Sequence, residues 1–155
     1  MILADITNKI FTEHLFHTPI TAFGINRLVH FTLPSESSRI RLRRLLAPIQ
    51  PWGEYGQGME KNDTGLTGGL QSLTMRRSSS LDGIIMETNV NIEPSAKISS
   101  NAGVFMQVNC HHPLIDLPYG HGSEQAMSLL SKRFDNAINE AESIIDAMIK
   151  LGKQQ

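Results

Sequence analysis

Residues 123–151 read SEQAMSLLSKRFDNAINEAESIIDAMIKL, and how this stretch is read decides the fold. From Met127 the apolar residues recur at Leu130, Phe134, Ala137, Ala141, Ile144, Met148 and Leu151, in steps of three and four kept for more than three heptads. Such a period belongs to one long helix. Ser123 stands where a side chain could cap its start, and Gly152 with a polar tail closes it. Ile138 and Ile145 broaden the stripe beyond a strict coiled-coil seam, so the helix is expected to lie on a sheet or between two surfaces.

The strands for that sheet lie upstream. In residues 84–92 Ile84, Met86, Val90 and Ile92 share a face, and in residues 104–110 Val104, Met106, Val108 and Cys110 do. Residues 70–77 lead into the first of these through SSSLDG, and the three read as an antiparallel meander with one wet face. A fourth strand is expected over 20–33, where Phe23, Ile25, Val29, Phe31 and Leu33 alternate. Arg27 interrupts that series, Gly24 suggests a bend, and His30 is expected to be exposed because it lies on the opposite face. Between strands, SSRIRLRRLLAP fits two templates: Ile40 and Leu42 alternate with arginine as in a strand, whereas Leu42, Leu45, Leu46 and Ile49 have helical spacing behind a Ser38 cap, and the short helix is favoured. Residues 53–69 hold six glycines and read as a flexible loop, with Trp52 and Tyr55 packing its base. At the N-terminus Ile2, Leu3, Ile6, Ile10 and Phe11 have helical spacing, and Thr18-Pro19 ends that amphipathic helix.

The expected fold class is therefore α+β: a four-stranded antiparallel sheet covered on one face by the long C-terminal helix, with an N-terminal amphipathic helix. A single domain over residues 1–155 suits a chain of this length, which buries roughly 70% of its unfolded surface. An apolar fraction of 40% with 19% charged residues is globular, and a net charge of −1 gives no overall pull toward nucleic acid or membrane. One cysteine excludes an internal disulfide framework, and the opening MILADITNKIF lacks the features of a signal peptide, so the chain reads as cytoplasmic. Nothing approaches the roughly 20 apolar residues a membrane span needs.

Four features could carry chemistry. In VNCHHPLIDLPYGHG, residues 108–122, Cys110 and His112 share a strand face while His111 points away, and Asp116 and His121 lie further on. The spacing is poor for a tetrahedral metal site, so the expectation is no metal, with Cys110 as the last core-facing strand residue, a proline turn after it and histidines reaching solvent. A cysteine nucleophile would need an oriented histidine partner, and no G-x-S-x-G occurs, so no catalytic residue is assigned. The glycine loop matches neither a dinucleotide fingerprint nor a Walker loop, so no cofactor is expected. Arg39, Arg41, Arg43 and Arg44, with Arg76 and Arg77 as a second cluster, form the candidate phosphate-binding set if they share one face. Against that, arginines also cover the solvated side of amphipathic helices, and few aromatics lie near enough for a single-strand stacking platform.

Four antiparallel strands followed by a helix, at this length, resembles the layout of SecB-like export chaperones. The resemblance covers most of the chain as element order; the helix before the first strand and the glycine loop depart from it. It implies a tetramer that binds unfolded polypeptide through exposed Met and Phe side chains. From the residues themselves, a seam-bearing helix, a second amphipathic helix and two sheet edges suggest a non-enzymatic protein-binding module acting as a homo-oligomer, dimer or tetramer. Its expected interface is Leu130, Phe134, Ala137, Ala141, Ile144 and Met148. Another protein is the alternative partner, and nucleic-acid binding through residues 39–44 is the alternative of a different class.

Overall fold

The computed structural model describes residues 2–60, 68–81, 83–114 and 123–154. In chain order the elements are α1 (Ile2–Lys9) continued by a π-helical turn (Ile10–His14), β1 (Ala22–Thr32), α2 (Glu36–Leu46), a 3-10 turn (Gln50–Trp52), α3 (Gly53–Gln57), β2 (Leu73–Leu81), β3 (Ile84–Pro94), β4 (Gly103–Pro113) and α4 (Glu124–Lys153). The four strands form one open antiparallel sheet in the order β1-β4-β3-β2, and α4 packs against it, as the α+β reading expects. β2, β3 and β4 are the meander, and β1 joins on the far side of β4, which makes β4 a central strand. Its burial alternates from Val104 through Met106, Val108 and Cys110 to His112 because successive side chains point to opposite faces.

The chain divides into two compact units that cut across the strands: residues 1–27, 75–90 and 108–144 form the first, residues 28–74, 91–107 and 145–155 the second. In the first unit Ile25, Val108, Cys110, Met127, Leu130, Ala137 and Ala141 make the core. The N-terminal segment is tied down by polar contacts. Ser123 lies just before α4, but its hydroxyl donates to the Phe11 carbonyl, and its N–H donates to the Phe16 carbonyl at 3.1 Å. The expected side-chain cap is thus replaced by a bond that holds the chain leaving α1. Asn8 Nδ2 donates to Ser131 Oγ at 3.4 Å. With the backbone held so, the apolar stripe of α1 faces outward: Ala4 is buried, whereas Ile2 is 78% and Leu3 70% exposed, with Ile6 and Ile10 also exposed.

In the second unit Leu33, Leu42, Ile49, Ile92, Val104, Met106 and Ile145 are buried. α2 forms as the helical period predicts, but its cap is Ser35, whose Oγ accepts from the Ser38 N–H at 3.1 Å; Ser38 itself is buried. A 3-10 turn precedes the expected loop at 53–69, which begins as α3, and residues 61–67 lie outside the described residues. Gly56 explains part of the glycine richness: a Cβ there would lie 2.1 Å from the Ile49 carbonyl oxygen, so only glycine lets the turn pack. Trp52 and Tyr55 do not pack its base; both are exposed, with ring centroids 6.1 Å apart. α4 ends one residue past Gly152, at Lys153; a Cβ on Gly152 would sit 2.6 Å from Leu33 Cδ2, so the glycine also permits a close approach there.

Candidate functional site

Within the first unit, β4 carries the histidine pair further than a proline turn after Cys110 would allow. The Leu114 N–H donates to the Thr21 carbonyl at 2.9 Å, so pairing with the chain entering β1 holds β4 extended through Pro113. His112 is therefore the last core-facing residue, 1% exposed, and does not reach solvent. His111, on the other face, is half-buried. The His112 ring stacks on Phe23 at 4.7 Å and 12°, and its Nδ1 has no hydrogen-bond partner among the described residues. Burial lowers the imidazole pKa, the Arg133 and His111 charges lower it further, and a backbone hydrogen bond at Cys110 and the Glu140 carboxylate oppose them. The ring is neutral near pH 7.

A cavity of about 100 Å3 opens at His112, lined also by Ser79, Ile84, Met86, Arg133, Asn136, Ala137 and Glu140. Glu140 on α4 is held by the Arg77 guanidinium and by the Thr88 hydroxyl, which donates at 2.9 Å. The arrangement offers a small polar guest an uncharged imidazole nitrogen and a fixed carboxylate. Cys110 takes no comparable role. Its Sγ contacts the Ala137 carbonyl at 3.8 Å, and its pKa is raised first by burial and then by Glu140, which keeps the thiol protonated. Among the described residues no cluster of three or more His, Cys, Asp or Glu could hold a metal ion; Asp116 and His121 lie outside them.

In the second unit a smaller cavity, of about 20 Å3, lies between α2 and β3, lined by Arg39, Leu42, Arg43, Leu46, Leu70, Gln71, Ile92, Glu93, Pro94 and Val104. Arg39, Arg43 and the neighbouring Arg44, which does not line the cavity, carry four buried nitrogens without an acceptor among the described residues: Arg39 Nε, Arg43 Nε and Nη2, and Arg44 Nη1. Arg44 Nη2 donates to the Met59 carbonyl at 2.8 Å. The pKa of Arg43 is lowered by burial first and then by the charges of Arg39 and Arg44.

The six arginines of the sequence reading do not act as one set. Arg41 is turned to the end of α4, donating to the Gly152 carbonyl at 3.4 Å. Arg76 and Arg77 are neighbours on β2 and take different partners: Arg76 pairs with Glu87 at 3.8 Å and donates to Asn89 at 2.9 Å, and Arg77 pairs with Glu140. Arg27, whose placement the strand pattern left open, pairs with Glu142 of α4 at 3.6 Å. His30 is half-buried rather than free in solvent: its Nδ1 lies 2.8 Å from Ser95 Oγ and its ring leans on Phe105. In the α4 seam Leu130, Ala137 and Ala141 are buried within the chain, while Phe134, Ile144 and Met148 are half-buried. The buried role of His112 was legible in its strand parity with Cys110, but the following proline suggested that the strand had already ended.

No protein-family model matches the chain, and neither a curated protein nor a solved structure matches it. No described helix is long and apolar enough to cross a membrane.

Proposed function

We propose that this chain is a non-enzymatic protein-binding module that acts as a homo-oligomer in a cytoplasmic setting, and that a second copy of the chain covers the apolar stripe of α1. The observation that supports this reading is the outward stripe itself. Ile2, Leu3, Ile6 and Ile10 fall within about 100° of arc at 3.6 residues per turn, and all four are exposed, with Phe16 63% exposed just beyond. A short isolated helix with an uncovered apolar side is marginal in water, whereas two stripes packed together remove both from it. Asp5 and Lys9 stand near the stripe, and a twofold antiparallel pairing brings the acid of one copy toward the base of the other. The α4 seam is the weaker candidate, because half of its proposed residues are already buried in their own chain.

Light-scattering mass after size exclusion tests this reading on the full chain. The wild type is expected to be a discrete oligomer, and Ile6→Asp with Ile10→Asp is expected to give a folded monomer by circular dichroism. Retention of the oligomer by that variant, together with its loss in Phe134→Asp, would return the interface to α4. A wild-type monomer at every concentration would end the homo-oligomer reading. The SecB-like alternative differs in requiring a tetramer that captures unfolded polypeptide. The nucleic-acid alternative requires binding that weakens steeply with salt and disappears when Arg39, Arg43 and Arg44 become alanine.

A further inference from the structure

The cavity at His112 lies wholly within the first unit, between the strands of the sheet and α4. Its floor is the buried pair His112 and Ala137, its walls are the half-buried Ile84 and Met86, and Ser79 and Asn136 stand exposed at its mouth. Folded interiors leave few voids larger than one water, and about 100 Å3 is well beyond that. The polar part of the lining is already arranged. Arg77 pairs with Glu140 Oε1, and the buried Thr88 hydroxyl donates to the same oxygen at 2.9 Å. From the described residues the second oxygen, Oε2, accepts no hydrogen bond, and with 25% of the side chain exposed the carboxylate can be reached. The charges at the cavity limit what can enter. An ammonium would gain little from a carboxylate that Arg77 already neutralises and would meet the positive charge of Arg133, which lines the cavity and takes part in an interaction of its own. A carboxylate guest would meet Glu140 itself. An uncharged guest avoids both costs.

We propose that the His112 cavity binds a small uncharged molecule, with an apolar body against Ile84, Met86 and Ala137 and one O–H or N–H that donates to Glu140 Oε2. An apolar cavity of about 150 Å3 accepts benzene, so this one suits a guest of roughly four to six heavy atoms, such as a short-chain alcohol. The apolar body is matched by aliphatic side chains and by the stacked His112 ring, whose buried Nδ1 asks no charge of the guest. The single donor is matched by a carboxylate oxygen, the stronger kind of acceptor, held in place before the guest arrives. This inference does not depend on self-association.

Chemical-shift mapping of the full chain by NMR tests the assignment, with n-butanol, methyl propyl ether, butylammonium and butyrate as probes of similar size that differ in donor and charge. Butanol is expected to bind with a Kd on the order of millimolar, as few-atom ligands do, and to shift the signals of residues around the cavity. The ether, which lacks the donor, should bind roughly threefold to tenfold more weakly, the worth of one hydrogen bond, and both ions more weakly than butanol. Glu140→Gln should weaken butanol and leave the ether unchanged. Ala137→Leu, which puts side-chain carbons into the cavity, should abolish butanol binding; if that variant fails to fold, Ile84→Phe, which narrows the walls, carries the same expectation. Equal binding of butanol and the ether removes the donor contact, and tighter binding of either ion refutes an uncharged guest. Shifts spread over the exposed stripe of α1 and unchanged by Ala137→Leu mean that butanol only coats apolar surface. Each of these results overturns the proposal, as does the absence of butanol binding.

Discussion

The His112 cavity and the Arg43 cavity both adjoin buried polar nitrogen that lacks a partner among the described residues, yet the two side chains meet burial differently. At His112 the imidazole gives up its proton: burial lowers its pKa, and the neutral ring can stack on Phe23 with one nitrogen idle at modest cost. At Arg43 burial and the charges of Arg39 and Arg44 lower the pKa too, yet the guanidinium stays charged near neutral pH. An idle nitrogen on a neutral ring is tolerable, whereas several unsatisfied donors on crowded cations cost stability. The same kind of atom is therefore a tolerated core feature in one place and a standing electrostatic cost in the other.

The largest expected effect that sharpens this comparison comes from Glu140, the carboxylate at the His112 cavity. Glu140→Ala strips the buried Thr88 hydroxyl of its acceptor and should lower unfolding stability by about 1–3 kcal/mol in urea melts, while Glu140→Gln restores most of it. Little of that loss should come from Arg77, which is mostly exposed and can turn to water. Equal losses in the two variants would mean that the negative charge, rather than the hydrogen bond, matters.

The pH dependence of stability comes next. The folded His112 pKa lies below the ordinary value of 6.5, so below that pH the unfolded chain takes up the proton more readily than the folded one. This contribution is fully present above about pH 6.5 and is lost as pH falls toward the folded pKa, at a slope of at most about 1.4 kcal/mol per pH unit. His112→Phe should flatten that part of the stability profile between pH 7 and 5. An unchanged profile would place the titrating group elsewhere.

On the arginine side the effect is smaller and of opposite sign. Arg43→Met should raise stability by roughly 1 kcal/mol, as replacing an imperfectly compensated buried charge with an apolar side chain often does. A loss instead would show that the cation is already satisfied and would remove the contrast. Smallest of all is the polar outer face of the sheet. Asn109 Nδ2 donates to Asn26 Oδ1 at 2.8 Å in an exposed pair, and Asn109→Ala should change stability by less than about 0.5 kcal/mol, measured in the same melts.

Where the sequence signal was local, it carried through to the structure. The step of three and four in residues 127–151 made α4, the alternation in residues 104–110 made the core face of β4, and the leucines of residues 42–46 made α2. Boundaries and partners were less legible. Ser35 and Ser38 are both plausible caps by type, and only the hydrogen bond to the Ser38 N–H distinguishes them. His30 reads as exposed from parity alone, yet Ser95, far along the chain, supplies its partner. For the candidate site, the presence of arginines at 39, 43 and 44 was plain, but the separate pairing of Arg76 and Arg77 with Glu87 and Glu140 was not.

By itself, then, the sequence determined which segments are helical or extended and which side of each is apolar, because backbone geometry repeats every 3.6 or 2 residues whatever surrounds it. Tertiary structure alone decided what meets each side. It turned the apolar stripe of α1 outward while that of α4 went largely inward, placed β1 beside β4, buried His112 and left four nitrogens of Arg39, Arg43 and Arg44 without an acceptor among the described residues. The physical reason is that burial, pairing and charge compensation depend on atoms distant in sequence, which local periodicity cannot encode.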